Sequence, residues 1–494
     1  MSDDAKSAAL CPVGVLSVGA SIPRGRLAVV DIASAWGLPG GRGSVAVCGP
    51  DEDTLTLACS AVERALDAAD VAIDTVGGLW WGTARPPMPE GPSYAFLATA
   101  VGLDETADGM LASGSIHAGV DALWAAWDSV ACGAVKTALV VASDALIPGL
   151  GTGAERSTGA GAVALVLCGL DGSSSPAGKL VSRSSFTRPF LDRYRGDNQP
   201  GTGDPYDARL YREKELVPLV SGAVDQIRDE IPANARWSIP DPDGRLGKVL
   251  ARATGAKEVC SEGVFAKVGE AGSAAALLGA LRGFQDAGTV CVVAAGGGRS
   301  SVVVVELSGP LPGASDAISE FDGGARGVRP LGYPSVLRSR QQLVAMSDPV
   351  PMGVPPGSAA FVRGNVEMLR LRGRRCGRCS AIAVPPSIHP VCPSCGALGG
   401  EEIALARSGT VQTFVINHTM PPPFEAPLPL AVVDLGDGAR VMLQGMPEDA
   451  SELSIGDEVG LELRRYALER GAPVYGFKVY RLPSDTSASS KDEE

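Results

Sequence analysis

The chain has 494 residues, a formal charge of −13 and a pI near 4.9, with 45% hydrophobic residues and a mean hydropathy of +0.13. That length predicts two to four domains, and the acidic balance argues against nucleic acid as a partner, because phosphate binding needs a basic surface. No apolar run reaches the length of a membrane span, and the polar, acidic start "MSDDAKSAALC" does not read as a secretory signal.

In chain order, residues 12–310 alternate short apolar runs with helical patterns, which reads as α/β layering. "TLTLACSAVERALDAADV" (54–71) predicts an amphipathic helix, with Leu55, Ala58, Cys59, Val62 and Leu66 on one face. "GGLWWGT" (77–83) predicts a strand. Residues 109–144 read as a glycine-flanked turn, a helix and a buried strand, a layout in which a nucleophile can sit at a helix N-terminus. Two strand pairs across glycine-rich connections begin at Thr137 and Thr289, an offset of 152 residues (289 − 137), each after an alanine-rich helix. The echo predicts a duplicated α/β unit. Residues 311–365 lose this rhythm and read as a linker and helix.

"CGRCSAIAVPPSIHPVCPSC" then places Cys376, Cys379, Cys392 and Cys395 in a C-x2-C-x12-C-x2-C pattern. Two such knuckles let four thiolates converge on Zn²⁺ and close its shell, so the metal is expected to be structural within a zinc ribbon over 366–402. His389, between the knuckles, reads as a loop residue. The other seven cysteines are scattered, mostly in apolar runs, and fit a reducing cytoplasm. Residues 403–483 show several short strands separated by turns such as "GDG" and "IGDE", the pattern of a five-stranded OB-type barrel. It lacks the basic stripe and aromatic row of a nucleic-acid binder. The polar residues 484–494 read as a disordered tail.

The ribbon and the following "GTVQTFVINHTMPPPFEAPLPLAVVDLGDGARVMLQG" resemble the zinc-ribbon OB-fold family that accompanies thiolases and acyl-CoA-handling enzymes, over about 350–483. Residues 12–310 resemble the hydroxymethylglutaryl-CoA synthase branch of the thiolase superfamily, on "GPDEDTLTLACSAVERAL", "GGLWWGT", "IHAGVDAL" and "DPYDARLYREKEL". The resemblance implies a duplicated α/β/α/β/α sandwich, in agreement with the internal echo. It also implies CoA thioesters as ligands, a thiolase-like catalytic protein as partner, and a dimer or hetero-oligomer.

The departures from that family's pattern carry the functional expectation. The nucleophilic Cys falls on Ile116, or on Ser115 with a one-residue slip; the acid falls on Trp80; the His falls near Pro240; and the amide of a later glycine turn falls on Glu270. Only His117, His389 and His418 exist in the chain. Ser113 or Ser115 with His117 makes a poor substitute without a positioned base and orienting carboxylate. Cys132 sits where the helix dipole disfavours a thiolate. "GGG" at 296–298 is expected to shape a pocket, and as a phosphate loop it lacks the Lys-Ser/Thr that would follow. The expectation is a non-catalytic acyl-CoA-handling subunit. The alternatives are a self-sufficient condensing enzyme using unconventional residues, or an assembly protein that binds no acyl-CoA.

Overall fold

The computed structural model describes residues 10–170, 175–197, 199, 201–203, 207–343, 365–420, 426–469 and 472–483. The expected tail at 484–494, and residues 344–364 of the expected linker, lie outside the described residues. The chain divides into two compact units: the first runs through Leu343, and the second holds the remainder together with Pro50–Glu52.

The strands of the first unit are β1 (Val13–Ser21), β2 (Gly25–Ala28), β3 (Ser44–Ala46), β4 (Gly78–Thr83), β5 (Asp108–Ser113), β6 (Thr137–Ala145) and β7 (Ala160–Gly169). They continue as β8 (Gly178–Thr187), β9 (Arg236–Ser238), β10 (Glu258–Val259), β11 (Gly288–Gly296), β12 (Arg299–Leu307) and β13 (Arg329–Pro330). Ten of them form one sheet in the order β10-β9-β11-β12-β8-β1-β7-β6-β4-β5. The order is palindromic. In each half the two outer pairings are parallel and the two inner ones antiparallel, and antiparallel β1 and β8 join the halves. The duplication read from Thr137 and Thr289 is therefore the β6–β7 pair and its counterpart β11–β12.

Among the described residues four helices precede β8: α1 (Val29–Ala35), α2 (Thr54–Ala69), α3 (Ser93–Val101) and α4 (Ala118–Ala131). Asp53 starts α2 with a capping box, accepting from the amides of Leu55 and Thr56. The expected apolar face of α2 is buried throughout. Helix α4 begins on small residues for a steric reason. A Cβ on Gly119 would fall 2.2 Å from the Ser273 carbonyl oxygen, and one on Gly82 of β4 would fall 2.3 Å from that of Ala118. The first turn of α4 thus lies directly on β4 and on a loop of the second half. The core joins both halves, Val120, Leu123 and Ala126 of α4 with Leu277, Leu278 and Phe284.

Residues 311–343, expected as linker, belong to this unit. Leu311, Ala314, Ala317 and Phe321 are buried in its core, β13 pairs with β2, and Val336 packs in a small cluster with Leu27, Ile32 and Val45. Glycine and proline dominate the local composition, but the apolar residues between them recur at core-facing positions.

In the second unit, β14 (Arg372–Arg375), β15 (Ile382–Ala383) and β16 (Glu401–Ala404) form a three-stranded sheet in the order β15-β14-β16. Then β17 (Ser408–Asn417), β18 (Leu428–Leu435), β19 (Arg440–Gln444), β20 (Glu458–Glu469) and β21 (Ala472–Arg481) make an antiparallel sheet in the order β19-β18-β17-β20-β21. Register shifts in β17 and β20 curl it. A bridge from Gly445 to Val479, with Met446 N–H donating to the Val479 carbonyl, brings its two edges together into a nearly closed OB barrel.

Candidate functional site

Helix α4 is entered through Gly114, which takes a left-handed φ of +89°. In the turn that follows, the His117 amide donates to Ser115 Oγ at 3.1 Å. The next two side chains meet the turn between β11 and β12, where a Cβ on Gly296 would fall 2.2 Å from Ile116 Cγ1 and one on Gly297 2.2 Å from Ser115 Oγ. The expected degenerate nucleophile position and the glycine turn are thus in contact. The turn is held from its other side by Asp192, whose Oδ2 accepts the Gly297 amide at 2.7 Å.

Around this junction are buried acidic groups that local sequence patterns do not reveal. Asp144, at the end of β6, is fully buried and accepts from Thr83 Oγ1 (2.8 Å), the Ser273 amide (2.7 Å) and the amides of Ala84 and Arg85. Burial pushes its carboxyl above the ordinary range despite these donors. Glu270 is pinned through its backbone: its amide donates to the Ser157 carbonyl, and its carbonyl accepts from Gly159. Its carboxyl is raised to about 7, first by burial and further by Asp241 and Asp144, while Arg193 opposes the rise. Arg193 is fixed by donating to Thr158 Oγ1 at 2.9 Å. Burial likewise raises Asp192, Asp241 and the Tyr211 hydroxyl, and Asp192 adds to the rise at Tyr211.

These groups come from positions 144, 192, 193, 241 and 270, so no short spacing could have signalled them; only Glu270 was singled out. Pro240 is half-buried two residues after β9 and contributes no titratable group, although the charge of its neighbour Asp241 adds to the rise at Glu270. Trp80 is not brought to the junction. It is a core residue whose ring lies over Gly78, the end of β4 opposite Thr83. Ser113 is exposed at the end of β5, and Cys132 is exposed at the C-terminus of α4.

The raised Glu270 carboxyl has a consequence for stability. The fold keeps a proton on this group that the unfolded chain releases near pH 4.5, so the contribution is fully present below that value and is lost as pH rises through about 7. The loss approaches about 3 kcal/mol. Glu270→Gln should flatten the decline of first-unit stability between pH 5 and 8, measured by denaturant unfolding at each pH.

In the ribbon, the sulfurs of Cys376, Cys379, Cys392 and Cys395 lie within 4.8 Å of one another. Cys376 and Cys395 are 3.6 Å apart, as are Cys379 and Cys392. Four thiolates about 2.3 Å from a tetrahedral metal are about 3.7 Å apart, so the cluster could hold such an ion. The two knuckles are local copies. Cys376 N–H donates to Ala381 and accepts, through its carbonyl, from Ser380; Cys392 does the same with Ala397 and Gly396. Ser380 and Gly396 both take positive φ. Amides of Cys379 and Arg378 point at Cys376 Sγ and lower its thiol to about 6, and those of Cys395 and Ser394 lower Cys392. His389 is outside the sulfur set, its carbonyl accepting from Arg374. His418 is exposed.

Residues 402–464 match the family described as ChsH2, C-terminal OB-fold domain. The chain is 27% identical over 317 residues to the hydroxymethylglutaryl-CoA synthase of Caldivirga maquilingensis, covering 61% of this chain and 89% of that protein. It is 25% identical over 304 residues to that of Methanopyrus kandleri, covering 58% and 85%. Among solved structures, MvaS in complex with 3-hydroxy-3-methylglutaryl coenzyme A aligns with a TM-score of 0.56 at 20% identity, over 69% of this chain and 95% of that one. HMG-CoA synthase complexed with CoA aligns at 0.58 and 17%, over 70% and 96%. The curacin-pathway HMG synthase in complex with acetyl donor-ACP aligns at 0.57 and 17%, over 72% and 95%. The chain therefore combines a thiolase-like fold, homologous to HMG-CoA synthases, with a C-terminal OB-fold domain and a four-cysteine cluster. Among the described residues no helix is long and apolar enough to cross a membrane.

Proposed function

We propose that this chain is a non-catalytic acyl-CoA-handling subunit of a thiolase-type complex that makes or breaks C–C bonds in acyl-CoA thioesters. Its relatives bind CoA and an acyl carrier protein on the same fold, which supports a thioester ligand here. The observation that carries the non-catalytic reading is Ile116. A hydrocarbon side chain packs on Gly296 in the first turn before α4, where an acyl-carrying thiolate would gain from the helix dipole. In this reading zinc fills the four-cysteine cluster as a structural ion. The protein acts in the cytoplasm, as a dimer or hetero-oligomer with a catalytic thiolase-like protein, and the OB domain helps hold or pass the thioester.

A self-sufficient condensing enzyme is the second reading, and one observation favours it: Glu270, buried beside Arg193 with its carboxyl near neutrality, has the acidity of a general acid or base. Calorimetric titration with CoA and acetyl-CoA, together with identification of co-purifying proteins, tests the proposal. Micromolar thioester binding and a thiolase-like partner are expected. Absence of CoA binding would leave only an assembly role, and turnover by the chain alone would favour the second reading.

A further inference from the structure

Helix α4 ends against the stretch that leads into β1. The carbonyl of Ala131, one of those a helix cannot satisfy within its last turn, accepts the Cys11 amide at 2.8 Å. The next residue is Cys132, the C-cap of α4. That single hydrogen bond sets two cysteines side by side. The Cys11 α-carbon is one bond from the donor nitrogen, and the Cys132 α-carbon lies about 2.8 Å from the acceptor oxygen across a planar peptide. With the amide hydrogen aimed at the oxygen, the two α-carbons are within about 6.5 Å of each other. Disulfides span about 4.4–6.8 Å between α-carbons.

Both thiols can be reached. Cys132 is exposed and Cys11 partly so, and Gly133, next to Cys132, has nothing within 4 Å of where its Cβ would stand. Each sulfur rests on a carbonyl of its own stretch, Cys11 Sγ on Pro12 at 3.4 Å and Cys132 Sγ on Ser129 at 3.5 Å. Thiols are weak donors, so turning either side chain to another staggered rotamer costs little. Cys11 Sγ already lies on the α4 side of β7, since a Cβ on Gly169 would fall 3.4 Å from it and 3.8 Å from Val130 Cγ1. Cys168 is also in this region, paired with Gly14 of β1. It is buried, and as the neighbour of Gly169 in β7 it points to the opposite face of the sheet.

We propose that Cys11 and Cys132 form a reversible disulfide within one chain, a redox staple between the start of β1 and the C-terminal end of α4. The oxidant is a small disulfide of the glutathione class. One cysteine sulfur loses its proton to solvent and attacks the oxidant's S–S bond, which breaks and releases one glutathione as its thiol. The second cysteine sulfur loses its proton and attacks the mixed disulfide, which releases the other glutathione. Two protein thiols are oxidised and one glutathione disulfide is reduced to two thiols. The staple joins residues 121 apart in the chain (132 − 11), and long loops gain most from closure. It ties α4 to β1, the strand that pairs with both β7 and β8 where the two halves meet. The inference does not depend on the ligand held at the other end of α4.

The test incubates reduced full-length protein with oxidised glutathione and maps the disulfides by mass spectrometry of an unreduced digest. A Cys11–Cys132 link within one chain is expected, reversed by dithiothreitol. All six tryptophans lie in the first unit, so their fluorescence follows its thermal unfolding. The oxidised midpoint should stand at least about 5 °C above the reduced one. Cys11→Ser and Cys132→Ser should each lose the link and the rise, with reduced midpoints within about 2 °C of wild type. Stable glutathione adducts on both cysteines, no reaction at either, a link between two chains or a link to Cys168 would each overturn the proposal. So would a Cys11–Cys132 link that leaves the midpoint unchanged, because the bond would then staple nothing.

Discussion

Freshly purified protein should contain one zinc ion per chain, and Cys376→Ser should lose it together with the order of residues 366–402. The short strands β14, β15 and β16 bury little apolar surface, and two of the four cysteines are themselves among the buried residues of this segment. Such a module draws its stability from the metal: structural zinc contributes on the order of 10 kcal/mol in isolated fingers near neutral pH. Removing one thiolate leaves three ligands and an open position. The first unit owns a separate core of β-sheet and helices, so its cooperative unfolding should persist unchanged. Elemental analysis, followed by limited proteolysis of wild type and variant, reads both halves of the expectation. Zinc-free protein with an intact ribbon would refute it.

The second large effect concerns the chemistry at α4. Ile116→Cys should not create a condensing enzyme; its rate of joining acetyl-CoA to acetoacetyl-CoA should stay at least about a thousandfold below that of a working one. A thiol placed there would gain from the helix N-terminus, but the helix dipole is worth only about 1 kcal/mol or less in most settings. Against it stand the buried carboxylates. Asp192 sits on the Gly297 amide, next to the turn that Ser115 and Ile116 touch, and nearby negative charge raises a thiol's pKa. The first unit contains one histidine, His117, and it is held against Asp121. General acid–base assistance alone accounts for about 10²–10⁴ in rate, and a lone thiol forgoes it. A coupled assay for released CoA measures the outcome. Turnover restored by this one substitution would show that the remaining groups are competent.

How much of this was legible in the sequence follows from the range over which each signal acts. The β6–β7 and β11–β12 pairs could be read because strands, turns and their preceding helices are local patterns, and a 152-residue offset repeats them. The cysteine cluster could be read because both knuckles are four-residue motifs whose backbone geometry is set within each turn. Residues 311–343 were misread because Gly and Pro outweighed four or five apolar residues that happen to face a core. Trp80 is placed by the resemblance alone, as the position where the family's acid falls, and since every residue of β4 is buried, alternation gives no clue to which end or face its ring takes. The carboxylates at 144, 192, 241 and 270 could not be assembled from sequence. Asp144 reaches the Ser273 amide, and Asp192 the Gly297 amide, only after both halves of the sheet and their connecting loops are in place.

The central claim is that the junction at α4 holds an acyl thioester without taking the acyl group onto the protein. Intact-mass measurement under denaturing conditions, after incubation of the full chain with acetyl-CoA, tests it most directly. The account predicts the unmodified mass for the wild type, alongside calorimetric binding of the same thioester. A stable acetyl adduct mapping to residues 113–117 would contradict it and make the chain an acyltransferase in its own right.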